Sequence, residues 1–563
     1  MGQGHSPADN SIPSSLNSLN FSWRHWRDSA LKAIIFGCFL VFLALHCADP
    51  IRLVTADLGR HLKNGELILA GEHKVFTSNF YSYTYPDYPF VNHHWAAGVL
   101  FYLVYKLSGF TGLSYFYVGL LLCGFAVYFW LAKRFSSFSY ALFFSVLALP
   151  LMSDRLEIRP EGITTLLTGI YLYLLFMHRS GKMSFKKLLW IIPALQVIWV
   201  NTHILFFIGG FLVFVFWLDA WLGRQDKELT QRFFIIACLT AAACLINPAG
   251  IQGALVPLTI FKEYGYLLAE NQTVWFMHKR FGHDPKYLNF EILSVLSVIG
   301  LTVYSLTRDA RRHLAEILVL LFFLVLGFKT VRSMASFAFV FIPLMSLFVY
   351  EAVGKYSQTV RKGLGAGLLI TALMLVGHGV MSSKSYFSPL RHLESFIQMN
   401  GGQESDVNIL YLFRHPEIMT GLVPGINGSA EFVKQHGIQG PMFNNYDIGG
   451  YLIFHLYPQV KVFVDNRPEV YSVPFFKKDY IPMQENNKDW QRMDNQYHFN
   501  VIFFYRHDLT PWGQNFLVSR IQDSQWAPVY VDLFTIIFLR RNQQNQAVIK
   551  AYELPQSMFS VTR

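Results

Sequence analysis

Up to about residue 383, apolar residues fall into runs of roughly 15–21 positions separated by short polar loops. A helical run of that length crosses the hydrocarbon core of a bilayer. The pattern predicts eleven spans, at 33–48, 112–132, 139–152, 162–177, 188–200, 204–222, 233–248, 290–306, 315–328, 335–350 and 363–381. Segment 94–107 is apolar as well, and Gly109 and Gly112 break it from the next run. It reads as an interfacial helix, with a re-entrant segment as the alternative.

Beyond residue 383 the period changes. Short apolar stretches at 441–443, 461–465, 501–505, 527–532 and 534–540 predict strands, and 386–399, 447–456 and 513–523 predict helices. Alternating strands and helices with a closing hairpin give an α/β domain. The fold class is an α-helical polytopic membrane protein of about eleven helices with a C-terminal soluble α/β domain. The organisation expected is an N-terminal segment 1–32, a membrane domain 33–383 with a large first external loop 49–111, and a soluble domain 384–563.

Composition agrees. The hydrophobic fraction is 53% and the charged fraction only 15% over 563 residues. The formal net charge of +11 is no nucleic-acid signal, because Lys and Arg sit in short loops with no basic face interleaved with stacking aromatics. They serve better to orient the array. Arg24, Arg27 and Lys32 precede the first span, and the basic loops at 133–134, 179–187, 224–232, 308–312 and 355–362 all alternate onto the same side. That side is read as cytoplasmic, which puts the soluble domain outside. The first apolar run lacks a small-residue cleavage site and is expected to be an uncleaved anchor. The five cysteines all lie at or before Cys244, in or beside apolar segments, with no metal-ligand spacing.

The opposite, external side collects the chemistry. Asp57 and His61 fall one helical turn apart in Thr55-Ala56-Asp57-Leu58-Gly59-Arg60-His61. Asp57 is a candidate general base, and a cap on a short helix is the equally weighted alternative. His61 suits a structural hydrogen bond, and a divalent cation held with Asp57 stays open. Arg155, Arg159 and Glu161 lie in a dense charged turn, where guanidinium forks match phosphate oxygens. Asn201 and His203 interrupt an apolar run and point polar groups toward the bundle, with a satisfied buried histidine as the equally weighted alternative. Lys329 and Arg332 follow the ninth span and suit a phosphate leaving group, with snorkelling to the interface as the alternative. His93 and His94 close the first loop. Charges at membrane depth are costly and usually face a cavity, so these groups predict one polar cavity at the outer boundary. In the soluble domain, Asp465-Asn466-Arg467-Pro468-Glu469 reads as turn chemistry with an Asp–Arg pair, with a functional Asp465 at a strand end as the alternative, and Gly449-Gly450 permits close helix packing or a tight turn.

Taken in order, these elements resemble the GT-C glycosyltransferases near the dolichyl-phosphate-mannose and aminoarabinose transferase group. The resemblance is carried by Asp57, His61-Leu62, Gly65, Ser82-Tyr83-Thr84, Asn92-His93-His94-Trp95, Arg159-Pro160, Trp199 to His203, Asn247-Pro248, and the Gly-Gly-Tyr-Leu and Val-Asp-x-Arg elements of the tail. It implies transfer of a sugar from a polyprenyl-phosphate carrier to an envelope glycan, lipid or protein acceptor, in a bacterial inner membrane, with Asp57 as base. Two departures stand out: Asn79 occupies the place of a second Asp, and His94 that of a Glu. A non-catalytic scaffold that binds a partner through its C-terminal domain is the competing expectation.

Overall fold

The computed structural model describes residues 15–224, 226–259, 263–282, 284–382, 385–389, 412 and 419–559. Helices cover each of the eleven apolar runs. They are α1 (Ser15–Cys47), α3 (Trp95–Phe135), α4 (Phe138–Met152), α5 (Glu161–Arg179), α6 (Phe185–Thr202), α7 (Phe207–Leu218), α8 (Lys227–Ala243), α11 (Pro285–Thr307), α12 (Leu314–Lys329), α13 (Met334–Val353) and α14 (Gln358–Met381). Three short helices lie in the loops: α2 (Leu58–Leu69), α9 (Ile251–Leu255) and α10 (Val274–Arg280). Among the described residues, six helices are long and apolar enough to cross a membrane. α13 runs through the middle of the bundle against α3, α4, α11 and α12, and every residue from Phe337 to Phe348 is buried.

Helix breaks follow local chemistry. Within α3 the non-helical residue is Gly109, at φ 65°, a conformation that a Cβ disfavours. Gly112, expected to break the chain as well, stays helical. α6 ends where His203 turns extended (φ −157°, ψ 142°), so α6 and α7 form the expected hairpin. At the far end of α5, buried Arg179 contacts Asp219 at 3.0 Å and Glu316 at 2.5 Å, tying the ends of α5, α7 and α12 together. Losing one partner there would strand a buried charge.

The tail carries a four-stranded sheet in the order β1-β2-β4-β3, formed by β1 (Met442–Asn444), β2 (Val501–Tyr505), β3 (Trp526–Val531) and β4 (Thr535–Arg540). β1 pairs parallel with β2, and the other pairs are antiparallel, with β3 and β4 forming the closing hairpin. The helices expected at 447–456 and 513–523 appear as Gly449–Leu456 and Gly513–Ile521. Most of the one expected at 386–399 lies outside the described residues. Segment 461–465 is not a strand. The Asn444 side chain holds it instead, donating to Val464 O at 2.7 Å and accepting from Phe463 N at 2.9 Å. Its backbone pairs with the first loop, through Val462 N to Tyr81 O at 3.1 Å and Tyr83 N to Val462 O at 3.2 Å.

The first loop therefore packs on the tail. A Cβ at Gly59 of α2 would sit 2.6 Å from the Gly450 carbonyl oxygen, and one at Gly65 would sit 2.3 Å from that of Gly98. Only glycine permits both approaches. They wedge α2 between α3 and the Gly449–Leu456 helix and fix where its N-terminal residues point.

Candidate active site

Asp57 occupies the N-cap position of α2, yet its side chain makes no capping hydrogen bond. It faces two guanidiniums instead: Arg159 Nη1 at 3.4 Å and Arg60 Nη2 at 3.7 Å. Asp57 and Arg60 are one turn apart on α2, and Arg159 enters from the turn before α5. The Asp57 carboxylate is 22% exposed, enough to reach a bound molecule.

The second carboxylate of the site is Glu270, from the loop before α10. Three arginines converge on it: Arg159 Nη1 at 2.8 Å, Arg155 Nη2 at 3.0 Å and Arg332 Nη1 at 3.7 Å. Arg155 also meets Glu161 at 3.3 Å, and Arg159 meets Glu157 at 2.7 Å. Arg332 is the least committed of the three.

Two cavities meet at this network, with Arg159, Glu161 and Glu270 lining both. One, of about 500 Å³, is bounded by Asp49, Arg52, Asp154 and Lys286. The other, of about 470 Å³, holds Asp57, His61, His93, His94, His203 and Arg332, with Ile204, Leu255, Val256 and Leu268 as an apolar wall. Side chains of the tail complete it: Asn466, Pro468 and Glu469.

The sequence-predicted residues thus come together in large part. Asp57, His61, His93, His94, Arg159, Glu161, His203 and Arg332 share the second cavity, and Arg155 lines the first. Two do not join them. Asn201 is consumed structurally, accepting from Trp95 Nε1 and donating to Ile246 O, each at 2.8 Å. Lys329 is exposed and lines neither cavity. Sequence reading assigned no role to Arg60, Asn466 or Glu469. Arg60 carried a signal in its spacing from Asp57, but the other two had none beyond their place in a turn.

Electrostatics separates the two carboxylates. Burial holds the Asp57 carboxyl above its ordinary range, although Arg159 and Arg60 pull it down. At Glu270, burial is outweighed by Arg159, Arg155 and Arg332, and its carboxyl lies well below the usual range. Glu270 is thus a fixed anion, and Asp57 the better proton acceptor. The imidazoles form a row: His61 to His94 at 5.5 Å between ring centres, His93 to His94 at 4.0 Å, and His94 to His203 at 5.3 Å. Burial keeps His61 and His94 well below the ordinary imidazole range and takes His93 to about 3, so these rings are neutral.

Among the described residues no three His, Cys, Asp or Glu side chains are grouped to hold a metal ion. Asn79, in the place of a second carboxylate, is fully buried and accepts from Arg467 Nη2 at 2.7 Å. Arg467 is itself held by Asp465, with contacts of 2.8 and 2.6 Å.

Among the described residues six helices are long and apolar enough to cross a membrane, and the fold is shared with solved oligosaccharyltransferase structures. Among solved structures it is similar to the archaeal oligosaccharyltransferase AglB from Archaeoglobus fulgidus in complex with an inhibitory peptide and a dolichol-phosphate. The TM-score is 0.54 at 11% identity, over 93% of this chain and 78% of that one. The Archaeoglobus fulgidus oligosaccharyltransferase tethered to an acceptor peptide containing the NVT sequon gives 0.52 at 11% identity, over 89% and 74%. ArnT from Cupriavidus metallidurans bound to undecaprenyl phosphate gives 0.49 at 13%, over 92% and 98%. At these identities the likeness is one of fold. No family model matches the sequence, and no curated protein matches it.

Proposed function

We propose that this protein is a glycosyltransferase that moves a sugar from a polyprenyl-phosphate carrier to an envelope glycan, lipid or protein acceptor on the non-cytoplasmic face of a bacterial inner membrane. The observation that carries this reading is one cavity that joins Asp57, the guanidiniums of Arg60, Arg159 and Arg332, and an apolar wall of Ile204, Leu255, Val256 and Leu268. A lipid phosphate has one anionic and one apolar end, and this cavity has a surface for each. The AglB structure of the same fold was solved with a dolichol-phosphate, which favours the polyprenyl-phosphate class.

In the mechanism proposed, the acceptor hydroxyl oxygen attacks the anomeric carbon and its proton passes to Asp57 Oδ. The bond from the anomeric carbon to the phosphate oxygen breaks as the new glycosidic bond forms. The departing phosphate keeps the electron pair, and Arg332 and Arg60 neutralise its charge. A direct displacement inverts the anomeric centre. A scaffold that has lost catalysis is expected to close this cavity with side chains, and an open volume of about 470 Å³ weighs against that reading.

The test is sugar transfer in nanodiscs from a radiolabelled panel of polyprenyl-phosphate sugars. Transfer to an envelope extract supports the assignment, and failure with every donor returns the scaffold reading. Reporter fusions at Gln225 and Ser405 test the orientation, with cytoplasmic and external signals expected respectively.

A further inference from the structure

Three residues that line the second cavity each carry a buried polar side-chain atom without a hydrogen-bond partner: His61 Nδ1, Asn271 Oδ1 and Asn466 Nδ2. Such atoms are costly unless a ligand or water completes them. The one from the tail is set by its surroundings. Asn466 Oδ1 accepts from Arg60 Nε at 3.4 Å, which turns its amide N–H groups away from that arginine. Glu469, three residues on, lines the same cavity and forms no ion pair among the described residues.

The segment bearing both is held rigidly. Arg467 lies between them in sequence and faces the protein, clamped by Asp465 and reaching Asn79 at 2.7 Å. Val470 O accepts from Asn79 Nδ2 at 3.3 Å. The short helical turn Pro468–Val470 carries Glu469. Residues 467 and 470 thus anchor the segment, while 466 and 469 are left to the cavity. Side chains locked in this way can select a ligand at low entropic cost.

Their chemistry differs from the rest of the cavity. Glu469 offers carboxylate oxygens to hydroxyl groups of a ligand. An amide N–H and a carboxylate offer one donor edge and two acceptor oxygens, the complement of neighbouring hydroxyls. We propose that Asn466 and Glu469, brought to the cavity by the C-terminal unit, form its hydroxyl-recognising edge and select the transferred sugar of the lipid-linked donor. This rests on the glycosyltransferase reading above. Burial holds the Glu469 carboxyl above its ordinary range.

The test compares binding of bare undecaprenyl phosphate with that of undecaprenyl phosphate carrying glucose, galactose, mannose or N-acetylglucosamine. It uses the full-length protein in nanodiscs. Wild type should bind at least one sugar-bearing lipid roughly tenfold more tightly than the bare lipid, the scale of one or two hydrogen bonds. Asn466→Ala and Glu469→Ala should each lose most of that gain, and Glu469→Ala should keep bare-lipid affinity within about twofold, which also reports that it folds. A gain undiminished in both variants overturns the inference, as does bare-lipid affinity falling in step with it. A wild type that binds the bare lipid but gains nothing from any sugar overturns the inference alone. A wild type that binds no polyprenyl phosphate overturns the reading beneath it.

Discussion

Asn79 of the first loop accepts a hydrogen bond from Arg467 of the tail at 2.7 Å, across 388 residues of sequence. The contact links the two segments that build the cavity, and it occupies the place where a second acidic side chain is expected. Asn79 Nδ2 also donates to Val470 O. An Asn79→Asp change would keep the acceptor and lose that donor, setting a carboxylate against a buried carbonyl. Stability should fall by about 1–3 kcal/mol, the cost of an unsatisfied buried polar group. A lower unfolding midpoint in detergent, with transfer still indifferent to a chelator, is the expected pair of results. Chelator-sensitive transfer in the variant would mean that a carboxylate at this position can hold a metal ion.

Asp57→Asn preserves shape and removes the proton acceptor. Transfer should drop by roughly 10²-fold or more, with polyprenyl-phosphate affinity little changed because the arginines remain. The pH profile gives an independent check. Burial raises the Asp57 carboxyl, so the ionised base fills at a higher pH than an ordinary carboxylate. Wild-type transfer should rise with pH through that ionisation and be lost as pH falls below it. Unchanged transfer in Asp57→Asn would remove the base assignment.

Arg332→Ala should act on carrier binding. Its contact with Glu270 is long, at 3.7 Å, and Glu270 retains Arg155 and Arg159. The fold should therefore tolerate the loss. Charge-assisted contacts to phosphate are worth enough that affinity for bare undecaprenyl phosphate should weaken by roughly 10–100-fold. Lys329→Ala is the matched control, because Lys329 is exposed and outside both cavities; its affinity should equal that of wild type.

What sequence could and could not show follows from range. The apolar runs were legible because each depends only on its own length, and helices cover all eleven. Asp57, Arg159, His203 and Arg332, which line one cavity, were legible as a set because the alternation of basic and polar loops in the sequence groups them. Asn201 misled because an amide at a helix break serves equally well to tie Trp95 to Ile246 O. Segment 461–465 misled because its β-like composition was satisfied by the Asn444 side chain and the first loop rather than by a sheet neighbour. Asn466 and Glu469 were invisible as cavity residues because their placement depends on Arg60, Asn79 and the glycine contact between residues 59 and 450. None of these is local.

The last prediction concerns Asp447, beside the Gly449–Leu456 helix. Burial, followed by the negative charges of Asp508, Asp57 and Glu157, pushes its carboxyl from an ordinary 3.8 up to about 7. A raised carboxyl favours folding while it is protonated. Its contribution is fully present below the ordinary value and is lost as pH rises through about 7. Asp447→Asn is neutral throughout and removes that dependence. Thermal unfolding midpoints of wild type and variant in detergent should coincide near pH 4, and at pH 8 the variant should be more stable by several degrees. Midpoints that run parallel across this range would show that Asp447 ionises as freely in the folded protein as in the unfolded chain. Its proximity to Asp57 would then carry no electrostatic weight.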